Sequence, residues 1–384
     1  MLCLATGLKN AEKARRFLLE HSLYAKGHSV KKDGKKLLIP LAKKLSRQQE
    51  NELGIEFEYC KADLEKSPLG QGLKEKLKAA GVSRSDLEKM VFSFDTVGDV
   101  AVIEVPEEFS RKKKLIANSL LKIHKNIKTV LAKKSAMKGK FRVRELEWVA
   151  GEKKTETEHK ESGVRMKLDL ATCFFSPRLG TERLRIAKQV KPGEKVLVLF
   201  AGVGPFALVI AKQQPECEVV GIELNPAAVD YFKENIKINK MDCRVRAVLG
   251  DVNVVAPSLF NGWADRIVMP LPHTAHEFLD AALASAKPGA IVHYYGFERV
   301  GKNRGEKERM KNGEKLEKPV LGQKELDENK FLIGGEGKVL VAPVEDIVKK
   351  ACRKAKRECK ILQNKIMRPY APGVEQKVVD FLVV

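Results

Sequence analysis

LFAGVGPFALVIAK, Leu199 to Lys212, decides the fold. With KVLV before it, the stretch reads as a buried strand that turns through Gly202 and Gly204 into a helix opening on Pro205. Glycine is required where a backbone takes positive φ or approaches a ligand closely, and the helix behind it offers unpaired N–H groups. Outward from this turn the pattern repeats. CEVVGIEL, RVRAVLG, DRIVMPL and GAIVHYYGF read as strands, and PAAVDYFKENIKIN and TAHEFLDAALASA as helices. Continuous apolar strands between helices specify a parallel sheet covered on both faces.

One glycine loop admits a dinucleotide, a nucleotide or S-adenosylmethionine. Three details favour S-adenosylmethionine. The loop is GxG followed by Pro205 and lacks the third glycine of a dinucleotide fold. The next strand ends in Glu223, placed to accept hydrogen bonds from a ribose. The third ends in LGDVN, which puts Asp251 near an adenine pocket. Each acid alone is an ordinary strand-end residue. Together they line the carboxyl ends of consecutive strands, where such sheets bind ligands.

Around this unit lie further segments. NAEKARRFLLEHSL predicts an amphipathic helix, HSVKKDGKKLLIPL two strands about an Asp-Gly turn, and SRSDLEKM a short helix capped by Ser83 or Ser85. VFSFDTVGDVAVIEVPEEF predicts a strand pair turning at Gly98-Asp99, and FRVRELEWVAG and VRMKLDLATCFF predict strands. Arg111 to Lys140 carries eleven Lys or Arg and no Asp or Glu. Its Leu115, Ile116, Leu120, Ile123, Ile127 and Leu131 predict one buried helix face, with the basic face turned to RNA or solvent. Residues 301–335 read as a polar insertion. APVEDIVKKACRKAKREC resumes as a helix, and IMRPYAPGVEQKVVDFLVV as a terminal hairpin at the sheet edge.

The chain has 384 residues, with 72 Lys plus Arg against 50 Asp plus Glu, a net charge of +22. A Lys-rich thermophile surface raises both signs together, so this imbalance favours a polyanion whose counterions are released on binding. No apolar run is long enough for a membrane span, and the start MLCLATGLKNAEKARRF has no secretory apolar core. The expectation is a cytoplasmic protein without membrane contact. Seven scattered cysteines with no CxxC pair predict reduced thiols and no metal site.

SPRLGTERLRI, FRVRELEWVAGE, FAGVGPF, IELNPAAVDYFKENIKIN, MPLPHTAHEFLDAAL and RPYAPGVEQKVVDF occur in this order over nearly the whole chain. In them the chain resembles the archaeal and eukaryotic tRNA guanine-37 N1-methyltransferases, relatives of the wybutosine-pathway aminocarboxypropyltransferases. The resemblance implies a class I Rossmann-like α/β domain over 176–384 that uses S-adenosylmethionine. Before it come two smaller α+β RNA-binding domains, 1–85 for tRNA recognition and 86–175 for the anticodon arm. It implies methylation of N1 of guanosine 37 in tRNA, and the expected state of the enzyme is a monomer. A wyosine-pathway enzyme of the same fold, modifying a tricyclic base at position 37, and a non-catalytic tRNA-binding relative are the alternatives. By the same resemblance Glu182 is the general base and Arg142 the cation at guanine O6, with Arg144 its alternative at a two-residue slip. Arg178, Phe200, Gly202, Gly204, Glu223, Asp251, Pro270 and Leu271 fall at cofactor positions, and Phe174 and Pro272 at substrate positions. Without the motif, Glu182 and Arg142 read as a surface ion pair. Val198 stands where the family usually has Asp, and Pro270 where it usually has Asn. His273 and His276 read as solvent-facing or helix-start residues.

Overall fold

The computed structural model describes residues 1–8, 10–21, 23–25, 28, 30–34, 36–64, 73–79, 81–89, 94–135, 139–299, 330–332, 338–340, 343–371 and 374–384. Two compact units emerge, one from residues 1–93, 105–130 and 149–152, the other from 94–104, 131–148 and 153–384. The expected middle segment, 86–175, therefore contributes to both.

The first unit opens with β1 (Leu2–Gly7), α1 (Ala11–Glu20), β2 (Lys31–Asp33), β3 (Lys36–Pro40), α2 (Arg47–Leu53) and β4 (Phe57–Lys61). Its antiparallel sheet has the order β2-β3-β1-β4, with the β2–β3 turn at Gly34 in the left-handed region. Leu4, Phe17, Leu18, Ile39 and Leu53 pack as its core. Two short helices follow, α3 (Leu73–Ala79) and α4 (Arg84–Lys89). Ser83 caps the second by accepting from the Asp86 N–H at 3.1 Å.

The chain continues through β5 (Phe94–Val97), β6 (Val100–Ile103), α5 (Lys113–Ile123), β7 (Thr129–Lys133) and β8 (Leu146–Gly151). The β5–β6 turn is at Gly98, as expected. The basic helix is shorter than its apolar spacing suggests. Ile116, Leu120 and Ile123 are buried on one face, but Ile127 follows the helix and Leu131 lies within β7. His124 leaves helical geometry at φ −105°, ψ 90°, and the β-branched Thr129-Val130 pair favours a strand. The hairpin β9 (Glu156–Glu161) and β10 (Val164–Asp169) comes next.

The second unit holds α6 (Gly180–Ala187), β11 (Lys195–Leu199), α7 (Pro205–Gln213), β12 (Glu218–Glu223), α8 (Pro226–Ile238), β13 (Val245–Leu249), α9 (Val252–Leu259), β14 (Ala264–Met269), α10 (Leu279–Ser285) and β15 (Ala286–Arg299). Then come β16 (Lys330–Leu332), β17 (Lys338–Leu340), α11 (Val344–Lys354), β18 (Cys359–Ala371) and β19 (Val374–Val383). Most of the expected 301–335 insertion lies outside the described residues. The main sheet has the order β13-β12-β11-β14-β15-β19-β18. Its first five strands are parallel, and the terminal hairpin is antiparallel at the edge. Residues along β11 alternate between two cores. Leu197 and Leu199 join the cluster with Ile267 and Tyr294, whereas Val196 and Val198 join the one with Phe206 and Tyr295.

Asn235 of α8 and Asn239 at its C-cap dock the β9–β10 hairpin. Asn235 and Asn239 each exchange a pair of hydrogen bonds with the backbone of β10, at Lys167 and Arg165, over 2.7–2.9 Å. A side-chain amide carries the same donor and acceptor as a peptide, so each replaces one rung of a neighbouring strand. Among the described residues no helix is long and apolar enough to cross a membrane, no group of side chains is arranged to hold a metal, and all seven cysteines are free.

Candidate active site

The glycine turn is built at the carboxyl end of β11. Phe200, Gly202 and Gly204 have φ of 57°, 56° and 90°. Left-handed backbone costs about 1–2 kcal/mol at a residue bearing a Cβ, so Phe200 is a strained position. It is held edge-on against Phe278 with ring centroids 4.7 Å apart. The two glycines differ in kind. A Cβ at Gly204 would lie 2.1 Å from the Phe232 ring, whereas one at Gly202 meets nothing nearer than the Phe174 carbonyl at 3.7 Å. The turn packs tightly behind Gly204 and stays open in front of Gly202.

Glu223, at the end of β12, holds this geometry. One carboxylate oxygen accepts the Gly202 N–H and the other the Asn225 N–H, both at 2.8 Å. Each oxygen keeps a lone pair free for a hydroxyl donor. Asp251 is exposed after β13, where its side chain caps α9 through the Asn253 N–H at 2.8 Å. Pro270, Leu271 and Pro272 are half-buried after β14, and the Leu271 N–H closes a tight turn on the Met269 carbonyl at 2.9 Å. These positions line the carboxyl edge of four adjacent strands. An open left-handed glycine beside a carboxylate with lone pairs to spare fits a nucleoside cofactor. Val198 is fully buried in the core under α7 and offers nothing polar.

Four of the residues expected for catalysis and binding share one cavity. It encloses about 210 Å³ and is lined by Arg142, Arg144, Phe174 and Arg178, with Arg368 from β18. Phe174 is 43% exposed. Its segment is fixed at both ends: Asn225 donates to the Thr172 carbonyl at 2.7 Å and Arg183 to the Ser176 carbonyl at 2.6 Å. The Arg183 guanidinium is buried over the Phe175 ring and paired with Glu161. Arg178 donates to Asp95 of β5 at 2.6 Å. Arg142 takes a left-handed φ of 53°. Burial pushes its guanidinium below the ordinary arginine range, and it has no carboxylate partner among the described residues. A half-buried cation without a counterion, beside an exposed aromatic face, is suited to an electron-rich ring edge.

Glu182 does not line this cavity. It lies buried in α6, where Arg185 grips both carboxylate oxygens at 2.7 and 2.9 Å and Tyr295 donates to Oε1 at 2.7 Å. From there a buried network crosses the sheet. Arg185 also bonds Asp380 at 2.6 Å, and Asp380 takes the Nδ1–H of His293 at 2.7 Å. His293 Nε2 accepts from Arg266 at 2.8 Å, and Arg266 pairs with Glu194 at 2.7 Å. The two partners of His293 assign its tautomer.

His273 is not a solvent-facing residue. It is half-buried, with its ring 4.8 Å from Phe297 and 5.7 Å from Tyr370, and those two rings 4.3 Å apart. Burial, then the charge of Arg142, press its pKa down to about 4. His276 is also half-buried, at the 3-10 turn before α10. The sequence supplied no signal for Tyr370 or Phe297 at this place, because their contacts with His273 are long-range.

A parallel sheet counted 3-2-1-4-5 along the chain, closed by an antiparallel 7-6 hairpin and carrying a glycine turn after its first strand, defines the class I S-adenosylmethionine-dependent methyltransferase fold. Comparison with known proteins places the chain within that class. Residues 157–319 match the TRM5/TYW2 methyltransferase domain, 73–155 the TYW2 N-terminal domain and 3–48 the tRNA methyltransferase 5 N-terminal domain. The tRNA (guanine(37)-N(1))-methyltransferase Trm5b of Pyrococcus abyssi is 38% identical over 300 residues, 78% of this chain and 85% of the relative. The crystal structure of Trm5b from Pyrococcus abyssi superposes with a TM-score of 0.64 at 33% identity, covering 100% of this chain and 99% of that one. The complex of aTrm5 with tRNALeu gives 0.62 at 30% identity, with full coverage of both. The chain belongs to the TRM5/TYW2 methyltransferase family.

Proposed function

We propose that this protein transfers a methyl group to N1 of guanosine 37 in tRNA, with S-adenosylmethionine as donor. The observation that carries the reading is similarity along nearly the full chain to relatives named for that reaction. The net charge of +22 suits the polyanionic substrate. Gly202, Gly204, Glu223 and Asp251 would hold the cofactor with Phe200, Pro270 and Leu271, and Arg178 would turn from Asp95 to its carboxylate. When bound, the cofactor supplies an electrophilic methyl on a sulfonium.

The protein's own task is to make N1 nucleophilic, which it is not while it holds its proton. Arg142 stabilises the negative charge that gathers on O6 as the proton leaves. Phe174 stacks the base once it has left the anticodon-loop stack, and Pro272 borders it. Glu182 takes the N1 proton. Its carboxylate must first exchange Arg185 or Tyr295 for the base, so docking of the anticodon arm has to reorganise that buried pair. Arg144 is the second candidate for the cation. The enzyme is taken to act as a cytoplasmic monomer, which sedimentation with and without tRNA checks.

The match of residues 73–155 to the TYW2 N-terminal domain favours a second reading, with a tricyclic wyosine base at position 37 as acceptor. Incubation of tRNA carrying G37, or of tRNA carrying the tricyclic base, with labelled S-adenosylmethionine separates the two by nucleoside mass. N1-methylguanosine supports the first. Label found only on the tricyclic base overturns it.

A further inference from the structure

We propose that Asp380 is a positioning residue for the base: it shares the Arg185 guanidinium with Glu182, so that Glu182 can accept a proton without leaving a buried cation unpaired. The inference rests on the reading of Glu182 as the group that takes the N1 proton. Held by Arg185 alone, that carboxylate would be a poor base, because a two-point ion pair favours its charged form. The geometry divides Arg185 between two anions. Its Nε and Nη2 donate to Glu182 at 2.9 and 2.7 Å. Its Nη1 donates to Asp380 Oδ2 at 2.6 Å and to Gln363 at 3.1 Å, and Nη2 also reaches Asp380 Oδ1 at 3.3 Å. Every N–H of the guanidinium is thus engaged. Asp380 is fixed from behind by the Nδ1–H of His293 at 2.7 Å.

The charges around Glu182 point the same way. Glu182, Arg185 and Asp380 are two carboxylates about one guanidinium. On β15, burial keeps His293 neutral, and Tyr295 donates to Glu182 as a neutral phenol. Arg266 and Glu194, beyond His293, cancel one another. Lys365 of β18 is 4.0 Å from Glu182, beyond hydrogen-bond reach, and its half-exposed ammonium is screened by water. The resting cluster therefore holds one negative charge in excess, and a like charge nearby favours uptake of a proton by a carboxylate. When the N1–H bond breaks, its proton goes to a Glu182 oxygen and the electron pair stays on the ring. The cluster becomes neutral, and Arg185 stays paired through Asp380, whose longer contact can close as Glu182 turns away. Without Asp380 the same step would leave a desolvated guanidinium unmatched.

The experiment measures the single-turnover rate of N1-methylguanosine formation at saturating tRNA and S-adenosylmethionine, beside the affinity for each. Asp380→Asn still accepts from His293 through its carbonyl oxygen but turns an NH2 toward Arg185, which leaves the guanidinium to Glu182. The rate should fall roughly tenfold or more, with both affinities within about twofold, since a buried side chain makes no phosphate contact. Adding Arg185→Gln removes the trapped cation and returns the cluster to one excess negative charge, so the double variant should regain most of the rate. Two merely structural defects would instead add. A wild-type rate in Asp380→Asn overturns the proposal, and so does a double variant slower than Asp380→Asn alone. Should Asp380→Asn not fold, the double variant is compared directly with the wild type, and a folded double variant without turnover overturns the proposal. Glu182→Gln in the same assay separates this inference from the reading beneath it. If Glu182→Gln turns over normally, that reading fails and this inference with it. If it is inactive while Asp380→Asn keeps the wild-type rate, only this inference fails.

Discussion

Glu182 and Arg185, one turn apart in α6, form a two-point ion pair at 2.7 and 2.9 Å, and the same guanidinium holds Asp380 at 2.6 Å. One cation between two buried anions is stable only as a set, because a charge left behind in the interior is costly. Removing the cation with Arg185→Met should destabilise the protein by about 3–5 kcal/mol. Tyr295→Phe removes a single donor to Glu182 and should cost about 1 kcal/mol. Urea unfolding checks both, and equal effects would show that the pair is not the anchor of this region.

Glu182 has two duties in this reading, and Glu182→Gln separates them. The amide keeps the volume and still accepts from Tyr295, but it is a very weak base. Turnover should fall by roughly 10²-fold or more, while tRNA affinity stays within about twofold, since a buried side chain contributes no phosphate contact. Single-turnover assays beside filter binding measure the two. Near-normal turnover would remove Glu182 as the base and leave it a structural partner of Arg185.

The glycine turn gives a contrast between two superficially equal residues. Gly204→Ala would drive a methyl to 2.1 Å from the Phe232 ring at a φ of 90°. It should cost about 3 kcal/mol or more from strain and overpacking combined. Gly202→Ala meets only the Phe174 carbonyl, in ordinary contact at 3.7 Å, so only the left-handed strain of about 1–2 kcal/mol remains. Its methyl nevertheless enters the cofactor side of the turn and should weaken S-adenosylmethionine binding measured by calorimetry. If Gly202→Ala binds the cofactor like the wild type, the open side of the turn is not the binding side.

The parallel sheet was legible because its strands are apolar on both faces and its turns carry Gly, Asp and Pro at the expected ends. Where the local pattern failed, three cases have identifiable reasons. β9, ETEHKE, is almost wholly polar and exists because β10 pairs with it, not because it buries an apolar face. α9 carries Pro257 inside it, which obscures a helix whose start Asp251 nevertheless caps. The basic helix was extended too far because Ile127 and Leu131 happen to keep helical spacing after the chain has left the helix. At the site, sequence motifs located Arg142, Phe174 and Arg178, which the fold brings to one cavity. They could not reveal that Glu182 is bonded to Arg185 and Tyr295, or that His273 sits among Phe297 and Tyr370. Both arrangements include contacts between residues far apart in sequence, and the surroundings of a side chain are set by tertiary packing.

The buried network also sets an acid limit on stability. Burial raises the Asp380 carboxyl, but hydrogen bonds from His293 and Arg185 and the Arg185 charge outweigh it and bring the group to about 2, against 3.8 for a free Asp. Its stabilisation is thus complete above pH 3.8 and is lost as pH falls toward 2. It amounts to about 2 kcal/mol. His293 acts at higher pH in the same direction. Burial lowers its pKa from 6.5, so the unfolded chain binds a proton that the folded protein refuses. Its contribution is complete above pH 6.5 and declines below it. Stability should therefore fall in two stages on acidification, one beginning near pH 6.5 and one below pH 4. His293→Gln should shrink the first stage, to which the half-buried His273 and His276 also contribute, and leave the second. Urea midpoints measured from pH 7.5 to 3 test this, and a wild-type midpoint that stays flat between pH 7 and 5 would show that His293 does not resist protonation in the folded state.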